Sequence, residues 1–376
     1  MKFIDLFAGI GGFRFGMESV GHECAAFCEI DKFARASYKA IHNTEGELEL
    51  HDITQVTDEE IRNIGHVDVI CGGFPCQAFS IAGHRRGFED TRGTLFFEIA
   101  RFAAILKPKY LFLENVKGLL NHDKGDTFET ILSALDELGY DVEWQVLNSK
   151  DFGVPQNRER VFIIGHLRGE RGRKVFPIGG NGAKIDCEQP KINKVGNIRK
   201  KGKSQSGAVV SVDSLAPTLC STTTQKDPLK ILLAGNLPGT HEQNGRVYDI
   251  NGISPTLNTM QGGGRQPKIR VREATKKGYA EATVGDSVNL AHPNSKTRRG
   301  RVGEGIANTL VTGDSQGVVT PNFRIRKLTP RECWRLQGFP DWAFDKAQEV
   351  NSNSQLYKQA GNSVTVNVIK EIARHL

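Results

Sequence analysis

The sequence has no apolar run approaching the roughly 18 residues a membrane-crossing helix needs, so no segment of it reads as a membrane span. It does not open on a basic stretch followed by a signal-like apolar core; residues 2–7 read instead as a strand. Its 7 cysteines are odd in number and lack the spacing of a disulfide framework, which points to a reducing, cytoplasmic setting. Cys24 and Cys28 stand four apart, but no second Cys/His pair at metal-ligand spacing accompanies them, so no metal site is expected.

What is present is a marked asymmetry of charge. The whole chain carries a formal +7, yet residues 166–330 hold 27 Lys and Arg against 12 Asp and Glu, a net +15, which leaves −8 for the remainder. A strongly cationic middle beside an acidic remainder favours a polyanionic partner for the middle segment, with a phosphate backbone the leading candidate.

Up to about residue 165 strand-like runs (2–7, 24–29, 67–71, 110–114, 142–147, 160–165) alternate with helical patterns (13–20, 31–41, 94–106, 127–138). That alternation predicts an α/β, doubly wound parallel sheet, which takes its ligands at the carboxyl ends of its strands. From 166 to 325 the composition shifts to Gly, Asn, Thr, Lys and Arg, and a partial repeat appears: Ser214–Leu219, Gly252–Leu257 and Gly305–Leu310, each ending in Thr-Leu. Repeated hairpins in a small, mostly β domain fit it. From 326 to 376 helices return, beginning at Thr329-Pro330-Arg331-Glu332, which has the form of a helix start. Three parts are therefore expected: 1–165, an inserted 166–325, and 326–376 packing back on the first.

The chemistry gathers at the predicted strand ends. Gly72-Gly73-Phe74-Pro75-Cys76-Gln77 follows an apolar strand, and a thiol on a Pro-stiffened, Gly-opened loop suits a nucleophile. Cys71, inside the strand, reads as an ordinary buried cysteine. The first strand runs into Phe7-Ala8-Gly9-Ile10-Gly11-Gly12, Glu29-Ile30-Asp31 ends the second, and Asp52 with Ile53 takes the next such position. A glycine bend before a helix with acids at successive strand ends suits an adenosine-type cofactor, with an amino-acid tail or a pyrophosphate equally compatible. Glu114 tips a further apolar strand, where partial desolvation raises a carboxyl pKa and equips it to share a proton. Gln156-Asn157-Arg158-Glu159-Arg160 supplies guanidinium groups able to fork onto a carbonyl or phosphate.

Phe74-Pro75-Cys76-Gln77, Glu114-Asn115-Val116, Gln156–Arg160, Arg326–Glu332 and Gln359-Ala360-Gly361-Asn362-Ser363-Val364 occur in the order, and with the residues, of the DNA (cytosine-5)-methyltransferase family of bacterial or phage type, which the chain resembles over nearly its whole length. The resemblance implies a Rossmann-like methyltransferase domain with an inserted target-recognition domain, and duplex DNA as partner. It implies S-adenosylmethionine held by Phe7, Ala8, Gly9, Gly11, Gly12, Glu29, Ile30, Asp52, Ile53, Pro75, Leu95, Asn362 and Ser363. Cys76 would attack cytosine C6, Glu114 would share a proton with ring N3, and Arg160, with Arg158 second, would contact the base or keep the thiolate environment cationic. The target base would have to flip out of the duplex. Arg246, Thr256, Leu257, Arg301, Thr309 and Leu310 are the candidates for reading DNA. A monomer is expected, nucleoid-associated in a bacterial cell, with any cognate restriction endonuclease a separate protein. The rival readings are an RNA cytosine-5 methyltransferase, a NAD-dependent oxidoreductase suggested by the glycine loop alone, and a non-enzymatic DNA-binding protein on the same fold.

Overall fold

The computed structural model describes residues 1–75, 95–170, 173–179, 268–292, 295, 297–313, 315–321 and 324–376, together with the backbone of the short strands Lys194–Asn197, Ala208–Val210, Leu233–Asn236 and Arg246–Tyr248. Cys76 and the copies of the repeat at 214–219 and 252–257 lie outside these residues.

Strands β1 (Lys2–Leu6), β2 (Glu23–Cys28), β3 (Leu48–Leu50), β4 (Val69–Gly73) and β5 (Tyr110–Val116) form a parallel array in the order β3-β2-β1-β4-β5. The chain leaves β1 toward one side for β2 and β3, then crosses to the other for β4 and β5, so the switch point falls between β1 and β4. Strand side chains alternate between the two faces, and here both faces are covered. Ile4, Leu6, Ile70, Leu111 and Leu113 point into one core, with Ile61 of helix α3 (Asp58–Asn63), Phe96, Ile99 and Phe102 of α4 (Leu95–Leu106), and Ile131 and Leu135 of α5 (Asp126–Glu137). Phe3, Val69, Cys71 and Phe112 point into the other, with Phe13 and Met17 of α1 (Gly12–Glu18) and Ile369 and Ile372 of α9 (Val366–Ala373).

One feature departs from an all-parallel sheet. Between β5 and β6 (Tyr140–Asn148) lies β8 (Glu159–Leu167), antiparallel to both, reached through the two-residue strand β7 (Gln156–Asn157). An apolar run reports that a strand exists, not which way it points. The reversal turns Arg160 back to the tip of β5, opposite Val116.

The carboxyl-terminal helices α6 (Pro330–Leu336), α7 (Asp341–Val350), α8 (Asn353–Asn362) and α9 close on the first strands' helices. A side chain at Gly16 of α1 would meet Ile369 of α9, so the two helices approach closely because position 16 has none. The Asn351 and Gln359 side-chain amides donate to the Phe33 carbonyl of α2 (Lys32–Ile41), and Ser37 donates to Gln359. Between 268 and 327 a hairpin (Ile269–Arg272 with Tyr279–Ala282) packs with a four-stranded antiparallel sheet, Val302–Gly303, Ser287–Asn289, Gln316–Val319 and Ile325–Lys327, over a small core of Ile269, Val271, Ala282, Val288 and Val319.

Candidate active site

The carboxyl ends of β1 and β2 are held together by main-chain donors. Phe7 (φ 56°), Gly9 (φ 57°) and Gly11 (φ 84°) adopt left-handed conformations, which bend the chain sharply into α1. The Glu29 carboxylate at the end of β2 accepts from the Gly9 N–H at 2.8 Å and the Asp31 N–H at 2.7 Å. Burial pushes the Glu29 carboxyl above its usual range, and those two N–H groups pull it back. Arg35 fastens the strand end by donating to the Glu29 and Ile30 carbonyls, both at 2.8 Å. The Ile30 side chain, 66% exposed, forms an open apolar surface beside them.

Open space lies where a side chain on Gly9 would project, whereas one on Gly11 would overlap the His42 ring. A side chain on Gly12 would meet Ser363 Oγ at 2.8 Å, and that contact joins the glycine loop to the loop after α8. Ser363 is buried and Asn362 exposed. Ala8 is buried, and its N–H donates to the Cys28 carbonyl; Phe7 and Leu95 are half-buried against the main core. Asp52 accepts from the Thr54 N–H and hydroxyl, while Ile53 (3% exposed) belongs to the core.

His42 has no sequence signal, and the structure puts it directly under the glycine loop. It is buried between Phe15 and Tyr38, 3.4 Å from the Ile10 carbonyl. Burial, then the nearby Arg14 and Lys346, push its pKa down to about 3, so at neutral pH the ring is uncharged.

Across the switch point the donors are cationic side chains. In-register pairing of β4, β5 and β8 sets Gly73 opposite Glu114 and Val116 opposite Arg160. Glu114 Oε1 lies 2.9 Å from Arg160 Nε, and a side chain on Gly73 would stand 3.3 Å from the other carboxyl oxygen. Burial raises the Glu114 carboxyl, while Arg160 and then Arg158 oppose the rise. Asn115 donates from its side-chain amide to the Phe74 carbonyl at 2.9 Å and fixes the strand end that leads to the exposed Pro75 and on to Cys76.

Arg158, two residues before Arg160, is placed differently. It is 3% exposed, and its terminal nitrogens donate to the carbonyls of Leu310 (3.4 Å), Gly361 (3.3 Å) and Ser363 (2.8 Å). Burial, then the charge of Arg160, push its pKa down to about 9.

The candidates for DNA reading also divide. Arg301 (5% exposed) donates to the Asn289 and Arg272 carbonyls within the small sheet. Leu310 is buried in a cluster with Ile10 and Trp334, and the Thr309 hydroxyl donates to the Asn157 carbonyl at 2.7 Å. Arg246 begins a short strand, and Thr256 and Leu257 fall outside the described residues.

The doubly wound sheet, with an acid held by main-chain amides on one side of its switch point and an acid–guanidinium pair on the other, defines the class: a Rossmann-like α/β fold with its site at the strand ends. The sequence profile of the C-5 cytosine-specific DNA methylase family matches residues 1–376. The orphan methyltransferase M.SPRI of Bacillus phage SPR is 36% identical over all of this chain and 97% of its own length. The type II methyltransferase M.HhaI of Haemophilus parahaemolyticus is 35% identical over all of this chain and 94% of its own. In fold the chain is similar to the S. pombe Dnmt2 methyltransferase, with a TM-score of 0.50 at 16% identity, covering 99% of this chain and 96% of that one. The protein belongs to the C-5 cytosine-specific DNA methylase family.

Proposed function

We propose that the protein transfers a methyl group from S-adenosylmethionine to C5 of a cytosine flipped out of a specific duplex DNA sequence, through a bond between Cys76 and C6. The observation that carries this is the buried Glu114–Arg160 pair, set by sheet register beside Gly73 at the root of the Pro75-Cys76 loop.

The first strand ends fit the cofactor. The space above Gly9, the fixed acceptor Glu29 and the exposed Ile30 suit an adenosine group, and we assign its binding to Phe7, Ala8, Gly9, Gly11, Gly12, Glu29, Ile30, Asp52, Ile53, Pro75, Leu95, Asn362 and Ser363. When bound, it supplies an electrophilic methyl group. Cytosine C5 is a poor nucleophile unaided. Addition of the Cys76 thiolate to C6 moves the C5–C6 π pair toward C5 and makes it nucleophilic. Glu114, its carboxyl raised by burial, is suited to share a proton with ring N3, and Arg160 holds it in place. After transfer the C5 proton leaves to a base from solvent, the C6–S bond breaks, and the ring double bond returns.

We assign DNA recognition to the cationic segment 166–325, with 326–376 completing the catalytic part around the Gly361–Ser363 loop. The enzyme is read as a monomer, and any cognate nuclease as a separate protein.

A duplex with 5-fluorocytosine at the target blocks the release step. Mass spectrometry should find a covalent adduct on Cys76 in wild type and none in Cys76→Ala, and a wild type that forms no adduct removes the reading. Bisulfite sequencing of DNA from expressing cells gives the target sequence. Methyl transfer to tRNA in preference to duplex DNA would instead favour the RNA methyltransferase.

A further inference from the structure

Arg158 lies two residues from Arg160, yet its guanidinium faces main-chain carbonyls from two distant stretches of chain. Gly361 and Ser363 flank Asn362, so one side chain holds the carbonyls of the residues before and after a proposed cofactor contact. The third carbonyl, Leu310, ends the last Thr-Leu repeat. A second, independent contact joins the same two stretches: a side chain on Gly361 would overlap the Val311 carbonyl.

The stretch 307–310 is tied down on its other side as well. Ala307 and Asn308 pair with Gln156 and Asn157 of β7, and the Leu310 N–H donates to the Gln156 side chain. Beyond Ser363, contact continues to Gly12 at the start of α1. A continuous line of touching groups thus runs from the β segment through Arg158 to the glycine loop. Burying a guanidinium is costly even with the charge of Glu114 acting on it, and a neutral amide could satisfy one or two carbonyls at less cost. A planar fork that reaches three carbonyls at once is what arginine adds.

Resting on the assignment of Asn362 and Ser363 to the cofactor, we propose that Arg158 is a positioning residue: it sets the Gly361–Ser363 loop and makes that setting depend on the DNA-recognition segment at Leu310–Val311. Docking of DNA on that segment and binding of cofactor at the loop are then thermodynamically coupled, each strengthening the other by the same factor.

The test uses the full-length enzyme, S-adenosylhomocysteine as a non-reacting probe, and the target duplex identified by bisulfite sequencing. Probe affinity is measured with and without duplex for wild type, Arg158→Lys and Gly361→Ala, and folding is checked by circular dichroism and thermal melting. In wild type the duplex should tighten the probe by about tenfold, within the usual range of such couplings. Arg158→Lys, whose ammonium reaches fewer carbonyls, should bring that factor below about threefold, and Gly361→Ala, prying Val311 away, should do the same from the opposite side. Where Arg158→Lys does not fold, Gly361→Ala alone carries the test. A folded variant that keeps the wild-type factor, or a wild type that binds the probe without coupling, overturns the proposal. So does a loss confined to kcat with coupling intact, which would place Arg158 on the base. A wild type that binds no probe overturns the cofactor assignment as well, so the two failures are told apart.

Discussion

Two carboxylates, Glu29 half-buried and Glu114 buried, stand on opposite sides of one switch point, and they are held in opposite ways. Glu29 accepts from two main-chain N–H groups, while Glu114 is paired with the guanidinium of Arg160. Burial raises both. Main-chain donors, one in the left-handed glycine loop and one at the start of α2, are neutral and fixed by the backbone, which suits an acceptor whose task is to stay in place. A cationic partner adds a charge that opposes protonation, so the state of Glu114 is set by a balance that a substrate can tip. In the proposed reaction the same residue type would then serve as a fixed acceptor on the β1–β2 side and as a proton-sharing group on the β4–β5–β8 side.

The largest effect should follow from removing that balance. Glu114→Gln keeps size and polarity but no longer exchanges a proton with ring N3, so kcat should fall by about 10²- to 10⁴-fold. Cofactor affinity should stay within about twofold, because Glu114 lies on the other side of the switch point. Pre-steady-state transfer assays and a cofactor titration read the two quantities separately. A variant that loses cofactor binding as well would break the division between the two sides.

Acid should act first on the β1–β2 side. His42, under the glycine loop, has its pKa pushed from the usual value near 6.5 down to about 3. For a group depressed by folding, the stabilising difference is complete above the unfolded pKa and is lost as pH falls toward the folded one. Between pH 6.5 and 4.5 this amounts to roughly 2 kcal/mol, since the slope reaches its full value of about 1.4 kcal/mol per unit only below the unfolded pKa. Urea unfolding across that range should show the loss in wild type and a flatter slope in His42→Phe, which removes the titrating ring and keeps an aromatic group beside Phe15 and Tyr38. An unchanged slope would mean that another group titrates.

Much of this arrangement is legible in the sequence, and the gaps have physical causes. Apolar runs and strand-end motifs locate β1, β2, β4, β5 and β8 because both faces of each central strand are buried. Leu48-Glu49-Leu50 is too short to show a period, and β3 therefore escapes. The direction of β8 escapes because a hydrophobic pattern has no arrow. Arg158 and Arg160 look alike in sequence, since what separates them, three carbonyls against one carboxylate, comes from parts of the chain about 150 to 200 residues away and 46 residues away. His42 is invisible for the same reason: its role follows from Gly11 lying against it.

A smaller effect tests how far Glu29 depends on being an acceptor only. In Glu29→Gln the amide NH₂ would face either the Gly9 or the Asp31 N–H, donor against donor. An unsatisfied buried donor costs about 1–3 kcal/mol, and a part-buried one the lower end of that, so cofactor Kd should rise by roughly 5- to 30-fold while kcat at saturating cofactor changes little. Isothermal titration gives the first quantity and saturation kinetics the second. A fall in kcat of the size expected for Glu114→Gln would erase the contrast between the two carboxylates.

The mildest change asks whether main-chain fixation on the β1–β2 side needs a side chain at all. Arg35 donates to the Glu29 and Ile30 carbonyls and stands 3.5 Å from the Glu49 carboxylate, a partner already claimed at 2.7 Å by Lys39. Truncation in Arg35→Ala leaves those two carbonyls to water at a partly exposed strand end, and the Gly9 and Asp31 donors to the Glu29 carboxylate remain. The net loss should be that of one ordinary hydrogen bond, about 0.5–1.5 kcal/mol, seen as a several-fold weaker cofactor Kd with transfer rate and DNA affinity unaltered. If Arg35→Ala instead weakens cofactor as much as Glu29→Gln does, the strand end is held by its side chains, and the two sides of the switch point are built on the same principle after all.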